Sequence, residues 1–185
     1  MVAQQEMAAI TSPAQRVAIL DVDYHHGNGT QQLFWERGDV LYASLHADPI
    51  RAFPYFSGYA GERGSGQGAG ANRNFPLPAD AGLDVYETAL TDACELIIAF
   101  EPDAPLILSL GFDTFHGDPI ADLALQTADY EVIGRIIGGL DLPTIVLQEG
   151  GYAVEALGAN AVAFLRGLRG LGPPIERLEA RPGAG

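Results

Sequence analysis

Short apolar runs rich in β-branched residues recur along this chain, and segments with helical spacing lie between them. The runs occupy residues 17–23, 40–45, 105–110 and 144–148. None alternates strictly between apolar and polar residues, which is typical of parallel strands covered on both faces. Strands that alternate with helices predict an α/β fold, in which a parallel sheet carries helices on both faces.

Three segments have the spacing of helices with one apolar face. The first covers residues 85–100 and the third covers residues 157–168. The second begins after Thr127, its predicted N-cap, and is closed by Gly138 and Gly139. The chain is therefore predicted to place a helix between most successive strands.

Residues 49–78 fit neither class, because they show no period and are rich in glycine. A stretch of this length without regular structure is usually functional, so we predict a loop on the rim of a site. Phosphate binding is disfavoured, since no Gly-Lys-Ser/Thr follows the glycines. We predict one partial α/β domain over residues 1–170 and a flexible C-terminal tail over residues 171–185.

Charge and cysteine content exclude several kinds of protein. The 185 residues include 10 Lys and Arg against 24 Asp and Glu, a formal charge of −14, which argues against direct nucleic-acid binding. One cysteine, Cys94, excludes an internal disulfide and a cysteine-rich zinc site. No segment resembles a signal peptide or a membrane span, so we predict no membrane partner and a cytoplasmic location.

The strongest local signal lies at the end of the first run. Asp21, Asp23 and His25 alternate there, so their side chains share a face at the sheet edge where α/β proteins bind ligands. Carboxylate and imidazole groups are ligands of zinc and related metals. A calcium loop fits poorly, because the glycine and the final glutamate are out of place. An ordinary strand-end turn stays open as an alternative.

Two further strand ends carry polar groups. Asp113 closely follows the third run and could supply a third metal ligand, although by itself it could equally cap a turn. His116 and Asp118 are further candidates, but the neighbouring Gly117 and Pro119 indicate a turn that carries them away.

Tyr152 follows Gly150 and Gly151 at the end of the fourth run. A tyrosine at this edge could point its hydroxyl at a substrate carbonyl. The alternative is a packed aromatic side chain at the start of a helix.

Taken together, these motifs resemble the histone deacetylase superfamily, and most closely the acetylpolyamine amidohydrolases. The resemblance rests on residues 21–30 (DVDYHHGNGT), 44–49 (SLHADP), 52–54 (AFP), 111–114 (GFDT), 117–119 (GDP) and 148–152 (QEGGY). It runs from about residue 17 to residue 170, and the ordered set is highly specific. It implies a three-layer fold of the arginase/deacetylase type and the release of acetate from an acetylpolyamine or from acetyllysine.

The resemblance also implies roles for single residues. Asp23, His25 and Asp113 correspond to the zinc ligands of the family. Tyr152 corresponds to the tyrosine that donates to the substrate carbonyl and then to the oxyanion. Asn28 corresponds to the position that supports the second of two catalytic histidines.

Further roles concern a second ion and the substrate channel. Asp21 corresponds to a buried aspartate that orients a catalytic histidine. The ligands implied for a structural potassium ion are Asp21, Asp23, His25, Ser44 and Leu45. Phe53, Gly150 and Gly151 correspond to the wall of the substrate channel. Homodimers are common in the family, so a homodimer is possible here.

One departure from the family pattern bears on activity. The family's general base belongs to a tandem histidine pair upstream of the metal motif, whereas residues 1–22 contain no histidine. We therefore expect a truncated chain that lacks the N-terminal part of the fold and is impaired as a catalyst. The alternatives are a non-catalytic metal-binding fragment or a regulatory remnant. An arginase-like manganese hydrolase is weaker, since a second set of bridging ligands is missing.

Overall fold

The computed structural model describes residues 15–171, which form one parallel sheet with helices packed against it. The strands are β1 (Val17–Asp21), β2 (Val40–Ala47), β3 (Asn72–Leu77), β4 (Leu106–Leu110) and β5 (Thr144–Gln148). The helices are α1 (Asn28–Phe34), α2 (Leu83–Phe100), α3 (Thr127–Gly138) and α4 (Val154–Leu168), with a 3₁₀ turn at Gly66–Gly68. The α/β prediction is confirmed.

The strands are ordered β3-β2-β1-β4-β5, and every neighbouring pair is parallel. Asp21 at the end of β1 is level with Ser44 of β2 and Ser109 of β4. Leu110 of β4 is level with Gln148 of β5. The C-terminal ends of the strands therefore form one edge, and the polar motifs of the sequence meet there.

Side chains alternate between two faces of this sheet. On the helix-covered face, Ala18 and Leu20 of β1, and Val22 just after it, join a large apolar cluster with α2, α3 and α4. On the opposite face, which we call the cleft face, Val17 and Ile19 join a smaller cluster that includes Phe34 of α1. Within residues 15–171, α1 is the helix that contributes to the cleft-face cluster. β1 is thus buried on both faces by two different clusters, which explains its nearly continuous apolar sequence.

The structure corrects several sequence-based expectations. The loop at residues 49–78 contains β3, an edge strand whose polar start and Pro76 concealed it. Helix α1 was not expected, because it has seven residues and begins Asn28-Gly29. The first strand ends at Asp21 rather than at residue 23. Thr127 is not the N-cap of α3, because Gln126 takes that position in a capping box with Asp129.

Two other predictions, the C-terminal tail and the lack of a membrane span, can be compared only with the described residues 15–171. Except for Leu171, the tail at 171–185 lies outside the described residues. Between residues 15 and 171, no helix has both the length and the apolar character needed to cross a bilayer.

Candidate metal centre

Asp23 and His25 lie just beyond β1 and turn toward each other. The main-chain N–H of His25 donates to Asp23 Oδ1 at 2.8 Å, which tightens the turn. His25 Nδ1 lies 3.5 Å from Asp23 Oδ1 and 3.1 Å from Asp113 Oδ2. The imidazole is therefore held between two carboxylates.

Asp113 reaches the same point from the end of β4. Its side chain is fully buried, and its Oδ1 accepts a hydrogen bond from the main-chain N–H of Tyr24 at 3.1 Å. One ligand atom from each of Asp23, His25 and Asp113 lies within 4.8 Å of the other two. The structure thus brings together the three residues that the sequence singled out as metal ligands, although their role as ligands stays a prediction.

Two glycines make room for these carboxylates. A Cβ added to Gly111 or Gly150 would collide with oxygens of both Asp23 and Asp113. The main-chain N–H of Gly150 donates to Asp23 Oδ2 at 2.8 Å, so the end of β5 also supports the cluster. The donor set of two carboxylates and one imidazole suits a divalent ion such as zinc.

The electrostatics of the cluster favour a bound cation. Burial, and then the charge of Asp23, raises the pKa of Asp113, while its hydrogen bond to His25 opposes that rise. Hydrogen bonds to Asp113 and Asp23 raise the pKa of His25 to about 9. Without a metal, the positive charge that these buried carboxylates need comes from a proton on His25. A divalent ion can supply that charge in place of the proton.

Asp21 is buried beside the cluster, on the cleft face. Its Oδ2 accepts a hydrogen bond from the Tyr42 hydroxyl at 2.8 Å, and burial raises its pKa to about 8. Ser44, the register partner of Asp21, has its Oγ 2.8 Å from His46 Nδ1, and the His46 Nε2 lies 2.9 Å from the Gly58 carbonyl oxygen. Leu45 follows Ser44 in β2, so it belongs to the same edge of the sheet.

The candidate ligands open into a cleft of about 690 Å³. Asn28, Phe53, Gly150 and Tyr152 line it, whereas Gly151 lies behind the rim. Tyr152 is 50% exposed, so its ring does not turn into the interior as the alternative interpretation required. Partial burial, and then the charges of Asp113 and Asp23, raise the pKa of Tyr152.

Other candidates are placed differently. His116 is exposed and its ring packs against Phe115, as the turn after β4 suggested. His26 is buried against His46, with ring centroids 4.5 Å apart, and does not belong to the ligand group. Sequence reasoning missed Ile120, which lines the cleft. It named Asp118 as a candidate that the turn would carry away, but Asp118 is buried beside the cleft, where its carboxylate accepts main-chain hydrogen bonds. No sequence pattern distinguishes such an acceptor from an ordinary turn aspartate.

Comparisons with known proteins fit this geometry. A family model described as the histone deacetylase domain matches residues 1–168. Acetylpolyamine amidohydrolase 1 of Pseudomonas aeruginosa is 54% identical over 163 residues, covering 88% of this chain and 47% of that protein. Acetylpolyamine amidohydrolase of Mycoplana ramosa is 49% identical over 157 residues, covering 85% and 46%. The chain spans about half the length of the curated relatives it matches.

Solved structures give the same picture. The crystal structure of acetylpolyamine aminohydrolase from Burkholderia pseudomallei superposes with a TM-score of 0.85 at 42% identity, covering 92% of this chain and 48% of that one. An HDAC homolog from Aquifex aeolicus superposes with a TM-score of 0.80 at 30% identity, covering 89% and 44%.

Proposed function

Because the chain belongs to the histone deacetylase domain family, we propose that it contributes the zinc-binding half of an amidohydrolase that releases acetate from an acetylated amine. The observation that carries this proposal is the convergence of Asp23, His25 and Asp113 within 4.8 Å, in a cleft that Tyr152 also lines. Relatives named acetylpolyamine amidohydrolase support this substrate class.

Asp23, His25 and Asp113 would hold the zinc ion. When bound, zinc supplies Lewis-acid polarisation of the amide carbonyl and lowers the pKa of water to about 7. Around it, Asp21 and Ser44 would provide side-chain oxygens to a structural potassium ion, together with main-chain carbonyls of Asp23, His25 and Leu45. Burial raises the pKa of Asp21, and a cation bound beside this carboxyl would favour its ionised form.

The other cleft residues would bind and orient the substrate. Tyr152 would donate its hydroxyl proton in a hydrogen bond to the carbonyl oxygen, an interaction that strengthens as negative charge develops there and is worth about 3 kcal/mol. Phe53 and Ile120 supply apolar walls, each more than half exposed. Glu149 adds negative charge to a lining that contains no lysine or arginine. This lining suits a substrate that carries a second, cationic amine.

General base catalysis is the part that the chain does not supply. Its histidines are His25, His26, His46 and His116. His25 is placed among the metal ligands, His26 and His46 are buried against each other, and His116 is exposed on a turn. We therefore expect the isolated 185-residue chain to bind zinc but to turn over about 10²–10⁴-fold more slowly than an enzyme with a positioned base.

The test measures zinc and acetate on the same preparation. Zinc content is determined by elemental analysis, and acetate release is followed with N-acetylputrescine and with an acetyllysine peptide. We expect one zinc per chain, lost in Asp113→Ala. The matched control is Asp122→Ala, which removes a partly exposed carboxylate paired with Arg51 outside the ligand group. Unchanged zinc content in Asp113→Ala would refute the ligand assignment.

The same measurements separate a second candidate function. The absence of a tandem histidine pair apart from His25-His26 favours a non-catalytic metal-binding or regulatory chain. Under that hypothesis zinc binds with the same stoichiometry, but acetate release stays at the level of Asp113→Ala. Slow zinc-dependent release that disappears in Asp113→Ala would support the amidohydrolase instead.

A further inference from the structure

The carboxylate of Asp118 accepts hydrogen bonds from the main chain of two segments beside the cleft, at Ile120 and at Tyr152–Ala153. Asp118 is 6% exposed and lies on the turn after β4. Its Oδ2 accepts hydrogen bonds from the main-chain N–H of Tyr152 at 2.7 Å and of Ala153 at 3.1 Å. Its Oδ1 accepts from the main-chain N–H of Ile120 at 3.1 Å. One buried carboxylate thus joins its own turn to Tyr152, which lies 34 positions later in the sequence.

Tyr152 is held by its main chain rather than by its side chain. Its ring is half exposed, and the hydrogen bonds among residues 15–171 include none to its hydroxyl. The preceding Gly151 has a φ of 132°, in a region that residues with a side chain rarely adopt. The chain before it is held at Gly150, whose N–H donates to Asp23 and whose carbonyl oxygen accepts from the N–H of Phe112. The chain after it is held by Asp118, so these two aspartates restrain the glycine turn from both sides.

We infer that Asp118 is a positioning residue, which fixes the main chain at Tyr152 and so keeps the phenol over the candidate metal ligands. The inference rests on the proposed function, because it assigns Tyr152 the task of stabilising the oxyanion. A hydrogen bond of this kind requires its donor to be placed within a few tenths of an ångström. Asp118 acts through that placement without touching the substrate.

A purely structural role is the competing explanation. Helix α4 begins at Val154, and its N-cap Ala153 has no side-chain cap, so a carboxylate at this end also stabilises the helix. Asp129 offers a matched control, because its Oδ2 accepts the main-chain N–H of Gln126 at 2.7 Å at the start of α3. Asp129 is outside the residues that line the cleft.

The first experiment compares zinc-loaded chains with Asp118→Asn, Asp118→Ala and Asp129→Asn. We expect kcat to fall by about 10-fold in Asp118→Asn, which keeps one acceptor oxygen, and about 100-fold in Asp118→Ala. KM should stay within about twofold, since the lost interaction acts in the transition state. Zinc content should not change, and Asp129→Asn should keep its kcat. An equal loss of kcat in Asp129→Asn would overturn the inference.

A double-mutant cycle tests whether the effect passes through the phenol. In a Tyr152→Phe background, Asp118→Asn should reduce kcat by less than about twofold, because the hydroxyl that Asp118 positions is already absent. A full additional loss of about 10-fold would show that Asp118 acts by another route.

A third measurement does not depend on turnover. Amide exchange followed by NMR should be at least about 10-fold faster at Tyr152 and Ala153 in Asp118→Asn, with Leu157 unchanged because its N–H bonds to Ala153 O. Unchanged exchange at Tyr152 would refute the anchoring itself. Faster exchange in Asp118→Asn, combined with no acetate release from the wild-type chain, would leave the anchor intact and refute the proposed function.

Discussion

The two faces of the sheet are built from the same strands, but one forms the apolar core and the other lines the cleft. On the helix-covered face of the three central strands, β1, β2 and β4, the side chains stay apolar to the end of the strand, as in Leu41, Ala43, Leu45 and Ala47 of β2. On the cleft face of β2, Val40 and Tyr42 are followed by Ser44 and His46. β1 repeats the change with Asp21 and β4 with Ser109, so the cleft face becomes polar only at the C-terminal edge.

This difference separates stability from chemistry within single strands. Alternate residues of one strand contribute to a sealed core and to a reactive edge, so a site can vary with little change to the core. β5 differs from the central strands, because it is poorly buried on both faces. Its five residues resemble a buried strand in sequence, but all are partly buried or exposed, and Ile145 on the cleft face is 39% exposed.

The accessibility of a thiol should show the largest contrast between the faces. Cys94 lies fully buried in the helix-covered cluster, and burial raises its pKa to about 12. At pH 8 we expect it to react with a disulfide reagent at least about 10³-fold more slowly than in the urea-unfolded chain, because the thiolate is the reactive form. In a Cys94→Ala background, Ile145→Cys should react at nearly the unfolded rate. Equal protection at both positions would contradict the comparison.

The same shift has a consequence for pH. Because the pKa of Cys94 is higher in the folded chain than in the unfolded one, its contribution to stability is complete below about pH 9. It should be lost as the pH rises from 9 to 12.

Leucine truncations should show the next largest contrast. Leu108 in β4 is fully buried on the helix-covered face, whereas Leu147 in β5 is partly buried on the cleft face. Leu108→Ala should reduce the free energy of unfolding by about 3 kcal/mol and Leu147→Ala by about 1 kcal/mol or less. Urea unfolding measures both. Equal losses would mean that the cleft face is as tightly packed as its opposite.

A methyl group added to the edge should damage the site and spare the core. A Cβ on Gly150 would lie 2.6 Å from Asp23 Oδ2 and closer still to Asp113. Gly150→Ala should weaken zinc binding by about 10–100-fold, in the range found when groups supporting metal ligands are disturbed. Competition with a chromogenic chelator measures the affinity. If Gly150→Ala lowered the free energy of unfolding more than Leu108→Ala and left zinc affinity unchanged, Gly150 would be a core residue rather than a support for the metal ligands.

The smallest effect should come from a residue that touches neither face. Gly158 is an exposed residue of α4, and an added Cβ would meet open space. Gly158→Ala should raise the free energy of unfolding by about 0.5–1 kcal/mol without changing zinc affinity. On the same helix, Gly167 contacts the main chain of α3 at Glu131, so Gly167→Ala should destabilise by about 1–3 kcal/mol. If Gly158→Ala and Gly167→Ala changed the free energy of unfolding in the same direction, the packing of α4 against α3 described here would be wrong.

The sequence predicted the parts of the fold that depend on local pattern. Four strands and the long helix α2 were recognisable, because strongly apolar runs and helical periods survive in any context. β3 was not, because Asn72, Asn74 and Pro76 interrupt its apolar pattern, which an edge strand tolerates. Its identity depends on pairing with β2, a contact that no local pattern encodes.

For the site, the residues that act through their own chemistry were recognisable and those that act through placement were not. Asp23, His25 and Asp113 could be predicted to meet, because parallel strands end at a common edge. Asp118 was named as a candidate, but its contacts could not be predicted, because the three main-chain N–H groups that it accepts from converge only in the folded chain.

The long separation of the candidate ligands has a final consequence. His25 and Asp113 are 88 positions apart and are brought together by the pairing of β1 with β4. A divalent ion bound between them would close a long loop of chain and so stabilise the folded state relative to the unfolded one. Chelation should therefore make the whole molecule unfold faster, although it removes only one atom.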